Sequence, residues 1–258
     1  MTGPTSGIGR VVAVRLAEMG FPVVLVGRSR DRLLRVREEI ARAGGDAEHL
    51  VVDLSSLTSV RQAADQLPSE IGILVNNAGT AERGVTEDGF ELMFAVNFLA
   101  PFLLTALLGD RLASGRVVNV ASHAHYRAKG IDWDGVRGPT RSLTGFPEYA
   151  RSKLAMVAWS RELAHRRSDV DVYAVHPGVV ATGIWRRMPQ PLRWLYTRRL
   201  LTPEQGATTV LMCAADPEVE GRSGLYWSNR RPVDPSPLAR DDRLAREVWE
   251  KASELVGI

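Results

Sequence analysis

Short, continuous apolar runs alternate with amphipathic stretches along nearly the whole chain, and this order limits the folds open to it. The runs lack the apolar–polar alternation of half-exposed strands, which indicates strands that are buried on both faces. Such strands, each followed by a helix, predict an α/β fold with a parallel, doubly wound sheet. Strands are predicted at 21–27, 48–54, 71–76, 116–121, 170–176 and 224–227, and helices at 10–19, 31–43, 56–67, 87–108, 147–167, 203–214 and 241–256. No linker or repeat interrupts the order, so we predict a single domain over residues 1–258.

The charge pattern argues against a nucleic-acid partner. The net charge is +3, but the arginines are mixed with acids along the chain rather than gathered in a basic stripe. Cys213 is the only cysteine, which excludes an internal disulfide and a CxxC motif. No run of 18 apolar residues and no signal peptide is evident, so we expect a soluble, cytoplasmic protein.

A glycine-rich segment, TGPTSGIG, opens the first predicted helix. Glycines there let the backbone approach a phosphate, and the start of the helix supplies free N–H groups. Such a run also occurs in ordinary tight turns. The next strand ends in Gly27-Arg28-Ser29, without the acidic residue that binds the ribose of NAD. Arg28 would pair with the extra phosphate of NADP, so we predict NADP(H) over NAD(H); an ordinary surface arginine is the alternative.

Tyr149 and Lys153 lie four residues apart on the predicted helix 147–167 and therefore share one face. A neighbouring ammonium favours the phenolate, so we expect Lys153 to lower the pKa of Tyr149 and suit it to acid/base chemistry. Only Lys129, Lys153 and Lys251 are lysines in this arginine-rich chain, which makes a chance pairing a poor explanation. An exposed helix pair is the alternative.

Together these residues resemble the short-chain dehydrogenases/reductases, a family with a Rossmann-type fold, and the match runs nearly end to end. It rests on TGPTSGIG, on Asp53-Leu54, on Asn76-Asn77-Ala78-Gly79, on Asn97 and Ser122, on the tyrosine–lysine pair and on Pro177-Gly178 with Thr182. The segments EDGFELMFAVNFLAPFLLT, VNVASHAH and HPGVVATGI are more narrowly similar to the retinol dehydrogenase branch.

The resemblance implies a reaction and a set of site residues. Tyr149 would exchange a proton with the substrate oxygen, Ser122 would hold that oxygen, Lys153 would bind the nicotinamide ribose, and Asn97 would anchor a water for proton relay. The substrate would be a lipophilic alcohol or its ketone or aldehyde. The cofactor contacts implied are Gly3, Thr5, Ser6, Gly7, Ile8, Gly9, Arg28, Asp53, Leu54, Asn77, Ala78, Gly79, Tyr149, Lys153, Pro177, Gly178, Val180 and Thr182.

The beginning of the sequence departs from the family pattern, because the strand that normally precedes the glycine loop is apparently missing. That strand is central, so its loss would leave neighbouring backbone groups unpaired. We favour an internal Met at position 1 with further sequence upstream, which in several relatives includes a membrane anchor; a truly short and inactive chain is the alternative.

Two segments interrupt the alternation. Residues 123–145 are polar and glycine-rich and are predicted to be a long loop, whose HxH pair lacks an evident third metal ligand. Residues 182–201 mix tryptophan and arginine and are predicted to be a lid over a lipophilic substrate. Contact with a membrane surface and ordinary packing are weaker interpretations of the same segment.

Other functions fit the sequence less well. An NADP(H)-sensing regulator would not need the catalytic pair, and the sugar-nucleotide epimerases carry a larger C-terminal domain. Relatives often form homodimers through the helices that correspond to 87–108 and 147–167, although monomers also occur in the family.

Overall fold

The computed structural model describes residues 1–178 and 201–258. Its strands are β1 (Val23–Gly27), β2 (Ala47–Val51), β3 (Ile73–Asn76), β4 (Arg116–Val120), β5 (Asp171–His176), β6 (Tyr226–Ser228) and β7 (Arg231–Pro232). β2 pairs with β1, and β3 to β7 follow one another in order. All pairings are parallel except that of β6 with β7. The predicted parallel α/β sheet is confirmed.

Helices cover both faces of the sheet. They are α1 (Gly7–Glu18), α2 (Arg30–Arg42), α3 (Leu57–Gln66), α4 (Leu92–Phe94), α5 (Ala100–Leu108), α6 (Phe146–Arg166), α7 (Pro203–Ala215), α8 (Pro237–Arg240) and α9 (Asp242–Val256). Side chains of α1, α2 and α7 form one apolar layer with the sheet. Side chains of α3, α5, α6 and α9 form the other. Burial on both faces explains why the strand sequences are uniformly apolar.

The position of the apparently missing first strand is held by two residues. Thr2 forms parallel bridges with Val26 of β1 and Asn76 of β3, and so joins the two groups of strands into one sheet. The N–H of Thr2 donates to the carbonyl of Val75 at 3.0 Å, and the N–H of Val26 donates to the carbonyl of Met1 at 2.9 Å. The central gap is therefore bridged where the glycine loop begins.

Helix boundaries differ from the predictions where side chains cap them. The helix predicted from residue 87 begins at Leu92, because the carboxylate of Glu91 accepts the N–H of Phe94 at 2.8 Å. The predicted loop 123–145 contains two 3₁₀ turns, His123–Arg127 and Asp134–Val136.

A line of polar side chains is buried between the sheet and α6. Asn76 and Asn119 are register partners on β3 and β4, and the amide of Asn76 donates to the side-chain oxygen of Asn119 at 2.9 Å. The amide of Asn119 donates in turn to the hydroxyl of Ser160 at 2.9 Å. Asn76 also donates to the hydroxyl of Thr105 at 3.2 Å.

The last helix, α9, packs over α5 and α6. The rings of Phe102 and Trp249 meet edge to face at 5.5 Å, and the guanidinium of Arg166 lies 4.6 Å from the Trp249 ring. The stretch Leu92–Leu112 is long and apolar enough to cross a membrane, with a mean hydropathy of 2.0. However, 72% of its apolar window is buried inside the protein, as in the core helix of a globular domain.

Candidate active site

The glycine loop reverses the chain between Thr2 and α1 with little room for side chains. Gly3 has a φ of +68°, and a Cβ there would lie 2.8 Å from Cα of Ala78. A Cβ on Gly9 would overlap the carbonyl oxygen of Gly3. Both positions therefore require glycine, which allows α1 to begin close to the end of the sheet.

The start of α1 is left open for an anion. Ser6 occupies the N-cap position but its side chain makes no capping hydrogen bond, and the first turn carries no acidic residue. The backbone N–H groups at Gly7, Ile8 and Gly9 come before the first intrahelical donors, so they are available to a phosphate.

The Asn77-Ala78 segment holds the loop in place. The backbone N–H groups of Asn77 and Ala78 each donate to the hydroxyl of Thr2 at 3.1 Å. The Asn77 side-chain amide donates to the carbonyls of Thr2, at 3.1 Å, and Gly3, at 3.0 Å. Asn77 therefore positions the loop in this structure, and a direct contact with the cofactor stays a prediction.

Two residues expected near the adenosine lie at the ends of β1 and β2. Arg28 is exposed, and its side chain makes no hydrogen bond or ion pair within residues 1–178 and 201–258. The Asp53 carboxylate accepts from the N–H and hydroxyl of Ser55 at 2.9 and 2.7 Å, which shapes a turn after β2, while Leu54 is buried. That turn explains why the strand predicted to reach residue 54 ends at Val51.

Tyr149 and Ser122 are brought together from α6 and the end of β4. Burial raises the pKa of the Tyr149 phenol, and the nearby hydroxyl of Ser122 acts on this pKa in the opposite direction. The expectation that Lys153 lowers the pKa of Tyr149 is therefore wrong for this structure, because burial is the larger effect and favours the neutral phenol.

Lys153 lies beneath Tyr149, almost fully buried. Its Nζ donates to the carbonyl of Val120 at 2.8 Å and lies 5.9 Å from the centroid of the Tyr149 ring. Burial lowers the pKa of Lys153 to about 8. One of its three donors is held by the sheet, so the others can serve a bound ligand. A Cβ on Gly79 would lie 3.7 Å from Nζ, so Gly79 keeps this side of the ammonium clear.

Asn97 lies in a π-helical turn, Ala95–Leu99, between α4 and α5. Its side-chain oxygen accepts the N–H of Thr80 at 2.7 Å. Its amide donates to the carbonyl of Thr80 and to the hydroxyl of Ser152, both at 3.0 Å. Both hydrogens of the amide are therefore used, and a water could be anchored here only by the second lone pair of the side-chain oxygen or by backbone groups that the π turn frees.

Three residues beside Tyr149 on α6 hold the site and were not predicted. The buried hydroxyl of Ser152 donates to the carbonyl of Tyr149 at 2.8 Å and so links the helix to Asn97. The guanidinium of Arg151 donates to the carbonyl of Gly135 at 2.8 Å, and Glu148 accepts the N–H of Ser142 at 2.8 Å. Arg151 and Glu148 thus hold the segment between the two motifs in place. The polar residues within EYARSK (148–153) were the only sequence signal for these three residues.

The segment after β5 is described only at its start. Pro177 and Gly178 follow the strand, and Gly178 has a φ of +87°. A Cβ on Gly178 would meet the side chain of Leu201, which excludes other residues there. Val180, Thr182 and the proposed lid, apart from Leu201, lie outside the described residues.

The HxH pair serves the fold beside the site. The rings of His123 and His176 stack with centroids 3.8 Å apart. Burial, followed by the neighbouring His123, His125 and Lys153, lowers the pKa of His176 to about 3. Both ring nitrogens of His125 contact backbone groups, which leaves neither nitrogen free for a metal.

These features fit a nicotinamide dinucleotide and a substrate oxygen. Open N–H groups at α1 suit the diphosphate, the exposed guanidinium of Arg28 suits a further phosphate, and a buried ammonium suits ribose hydroxyls. A phenol that is neutral around pH 7 lies beside a hydroxyl and can give a proton to an oxygen bound between them. In chemical terms, the site can bind a dinucleotide and protonate a carbonyl.

Comparison with known proteins agrees with this geometry. Residues 1–133 match the family model for short chain dehydrogenases. The whole chain aligns with dehydrogenase/reductase SDR family member 13 of Bos taurus at 39% identity, covering 72% of that protein. It also aligns over its whole length with human retinol dehydrogenase 13 at 35% identity and with polyprenol dehydrogenase of Mus musculus at 38%, covering 84% and 83% of those proteins.

Solved structures show the same fold. An uncharacterized protein from Mycobacterium paratuberculosis superposes with a TM-score of 0.80 at 29% identity, covering 99% of this chain and 91% of the other. A short chain dehydrogenase from Burkholderia cenocepacia in complex with NADP superposes with a TM-score of 0.71 at 25% identity, covering 88% and 94%. The chain therefore belongs to the short-chain dehydrogenase/reductase family, whose members are oxidoreductases acting on alcohol and carbonyl groups.

Proposed function

We propose that this protein uses NADP(H) to interconvert a lipophilic alcohol and its ketone or aldehyde, with Tyr149 as the acid/base. The observation that carries the proposal is the convergence of Tyr149, Ser122 and Lys153 at the end of β4, next to the open start of α1. These groups are far apart in the sequence, and acid/base work on a carbonyl gives a reason for their meeting.

The side chains divide the work of carbonyl reduction among them. The cofactor, when bound, supplies the hydride. The Ser122 hydroxyl holds and polarises the substrate oxygen, and Tyr149 gives that oxygen its proton. Lys153 binds the ribose through the two donors that Val120 does not occupy. Asn97 and Ser152 hold the start of α6 in a fixed position relative to these groups. This positioning lowers the activation barrier of the reaction.

The choice of NADP(H) rests on Arg28. Its guanidinium is exposed at the end of β1 and makes no ion pair in the described part of the chain, so it is available to a phosphate. An arginine binds a phosphate with two parallel hydrogen bonds, and no acidic side chain occupies the place where NAD would be preferred.

The lipophilic substrate class is supported by the relatives. Retinol and polyprenol dehydrogenases match this chain over its whole length, and both names refer to long apolar alcohols. We include residues 182–201 in the proposal as the lid over such a substrate, since their aromatic side chains suit an apolar chain.

The first test is turnover of carbonyl probes, with NADPH and with NADH. Retinal and a polyprenal are the expected substrates, and a small aromatic aldehyde is the unselective reference. Tyr149→Phe removes only the hydroxyl, so kcat is expected to fall at least about hundredfold while NADPH binding is kept. NADPH binding without turnover, unaffected by Tyr149→Phe, would favour the regulator over the enzyme.

Cofactor choice is tested separately with Arg28→Ala. Loss of one charged contact to phosphate is expected to weaken NADPH binding about tenfold and to leave NADH binding nearly unchanged. Arg37→Ala, on the exposed surface of α2, is the matched control for a general loss of positive charge. Equal losses for both cofactors would contradict a role for Arg28 at the extra phosphate.

A further inference from the structure

His125 lies three residues after Ser122 and is completely buried. It belongs to the 3₁₀ turn His123–Arg127, for which Ser122 is the N-cap. The Ser122 hydroxyl accepts the N–H of Ala124 at 3.1 Å, so the turn fixes the direction of this side chain.

The His125 ring connects this turn to the C-terminal part of the chain. Nδ1 lies 2.7 Å from the carbonyl oxygen of Ser122. Nε2 lies 3.1 Å from the backbone nitrogen of Ser236, which is itself the N-cap of α8. One imidazole thus joins the capping residues of two helical turns that lie 114 positions apart in the sequence.

The two contacts define the protonation of the ring. The backbone N–H of Ser236 can only donate, so Nε2 must carry a lone pair. The carbonyl of Ser122 can only accept, so Nδ1 must carry the hydrogen. A second proton at Nε2 would set two donors against each other, and burial together with the nearby His123 opposes it by lowering the pKa of His125.

The bond from Nδ1 reinforces the carbonyl at the start of the turn. That carbonyl also accepts the backbone N–H of His125 at 3.2 Å. The neighbouring Tyr126 strengthens the same junction, because its hydroxyl donates to the carbonyl of Asp234. The ring of Tyr226 packs edge to face against His125 at 4.9 Å and limits its movement.

We propose that His125 is a positioning residue for Ser122. Its neutral imidazole holds the Ser122 backbone, so that the hydroxyl stays directed at the substrate oxygen beside Tyr149. This inference rests on the proposed function, because it takes Ser122 to act on the substrate.

Two substitutions separate the two hydrogen bonds. In His125→Asn, the side-chain amide takes the place of Nδ1 and keeps the donor to Ser122, while the Ser236 N–H loses its acceptor. In His125→Gln, the side-chain oxygen takes the place of Nε2 and keeps the Ser236 bond, while the Ser122 carbonyl loses its side-chain donor. His165→Gln, at an exposed position on α6, is the matched control.

The proposal predicts opposite effects of the two variants on rate and stability. His125→Gln is expected to lower kcat for retinal, or for the small aromatic aldehyde, about tenfold. His125→Asn is expected to keep kcat within about threefold but to lower Tm, because a buried N–H becomes unpaired. In a Ser122→Ala background, His125→Gln is expected to lower kcat no further, since its effect acts through Ser122.

Nitrogen NMR of the histidine rings provides a test that does not depend on turnover. The signals of His125 are identified as those that are absent from the spectrum of His125→Asn. In the spectrum of the unmodified protein, these signals are expected to show a hydrogen on Nδ1 and none on Nε2. A hydrogen on Nε2, or an additive loss of kcat in the double variant, would overturn the proposal. If Ser122→Ala is inactive but His125→Gln is fully active, the positioning role of His125 is refuted while the proposed role of Ser122 remains. A fully active Ser122→Ala refutes the proposed role of Ser122 and the positioning role with it.

Discussion

The chemistry of the site depends on how burial changes the ordinary properties of single side chains. Tyr149 becomes a weaker acid and Lys153 a weaker base than in water, because both lose solvent around their charged forms. The pair therefore starts from a neutral phenol, which is the form that reduction of a carbonyl needs.

Lys153 gives cofactor binding a pH dependence. The lowered pKa means that the ammonium is present below about pH 8 and is lost as the pH rises through that value. NADPH is therefore expected to bind about tenfold more weakly at about pH 9.5 than at about pH 7, as a charged hydrogen bond to the ribose becomes neutral. Fluorescence titration across this range measures it.

A Lys153→Met variant supplies the control, since it removes the titrating group and should give a flat profile. Lys251→Met, on the surface of α9, should keep the pH dependence of NADPH binding that the unmodified chain shows. If NADPH binding by Lys153→Met depended on pH as steeply as in the unmodified chain, another group would be responsible for the pH dependence.

Which residues meet at the candidate site could be predicted from the sequence, but how burial changes their acidity could not. Tyr149, Lys153, Ser122 and Asn97 stand in short motifs with characteristic spacing, so their identity was accessible. The pKa of Tyr149 depends on burial by parts of the chain that no local motif describes. In the same way, the partner of His125 at Ser236 lies 111 residues away and has no sequence signature.

Among the elements, the two-residue bridge at Met1 and Thr2 carries an unusual electrostatic cost. In the 258-residue chain the amino group of Met1 is buried and donates to the carbonyl of Val24 at 2.6 Å. Burial lowers the pKa of this amino group to about 5. The sequence predicted only that a strand was missing at this point, because apolar periodicity cannot reveal a strand position filled by two residues.

For a chain whose first residue is Met1, stability is therefore expected to rise with pH between about 5 and 8. In that window the unfolded chain binds a proton that the folded chain excludes, so each increase in pH favours the folded state, by at most about 4 kcal/mol in total. Adding three β-branched residues before Met1 removes the buried amino group and is expected to flatten this part of the profile. Thermal unfolding of both forms at several pH values is the measurement, and parallel profiles would contradict the assignment to Met1.

For the whole molecule, the placement of α9 decides which surfaces remain for a partner. Trp249 covers α5 through Phe102 and α6 through Arg166, and Arg161 of α6 donates to the carbonyl of Ala239 at 2.9 Å. The two helices through which relatives often pair are thus covered by the chain's own C-terminal helix.

We therefore expect a monomer in solution. Light scattering coupled to size-exclusion chromatography should give a mass near 28.3 kDa at micromolar concentrations. A dimer would have to form either through another surface or after displacement of α9. Trp249→Ala distinguishes these two arrangements, because it weakens the packing of α9 and should strengthen only the dimer that requires its displacement. A dimer mass in the unmodified chain would contradict the expectation.

The buried amide pair has a consequence for the alignment of the strands. Around Asn76 and Asn119, β3 and β4 are nearly uniform in apolar residues, so a slip by two positions would keep every side chain on its own face and change the hydrophobic burial little. It would, however, place Asn76 opposite Val117, so that the buried side-chain oxygen of Asn119 would lose the amide of Asn76 as its donor. At about 1–3 kcal/mol for a buried polar group without a partner, that cost favours the observed register over the slipped one. Two asparagines thus encode the alignment that the apolar residues around them leave ambiguous.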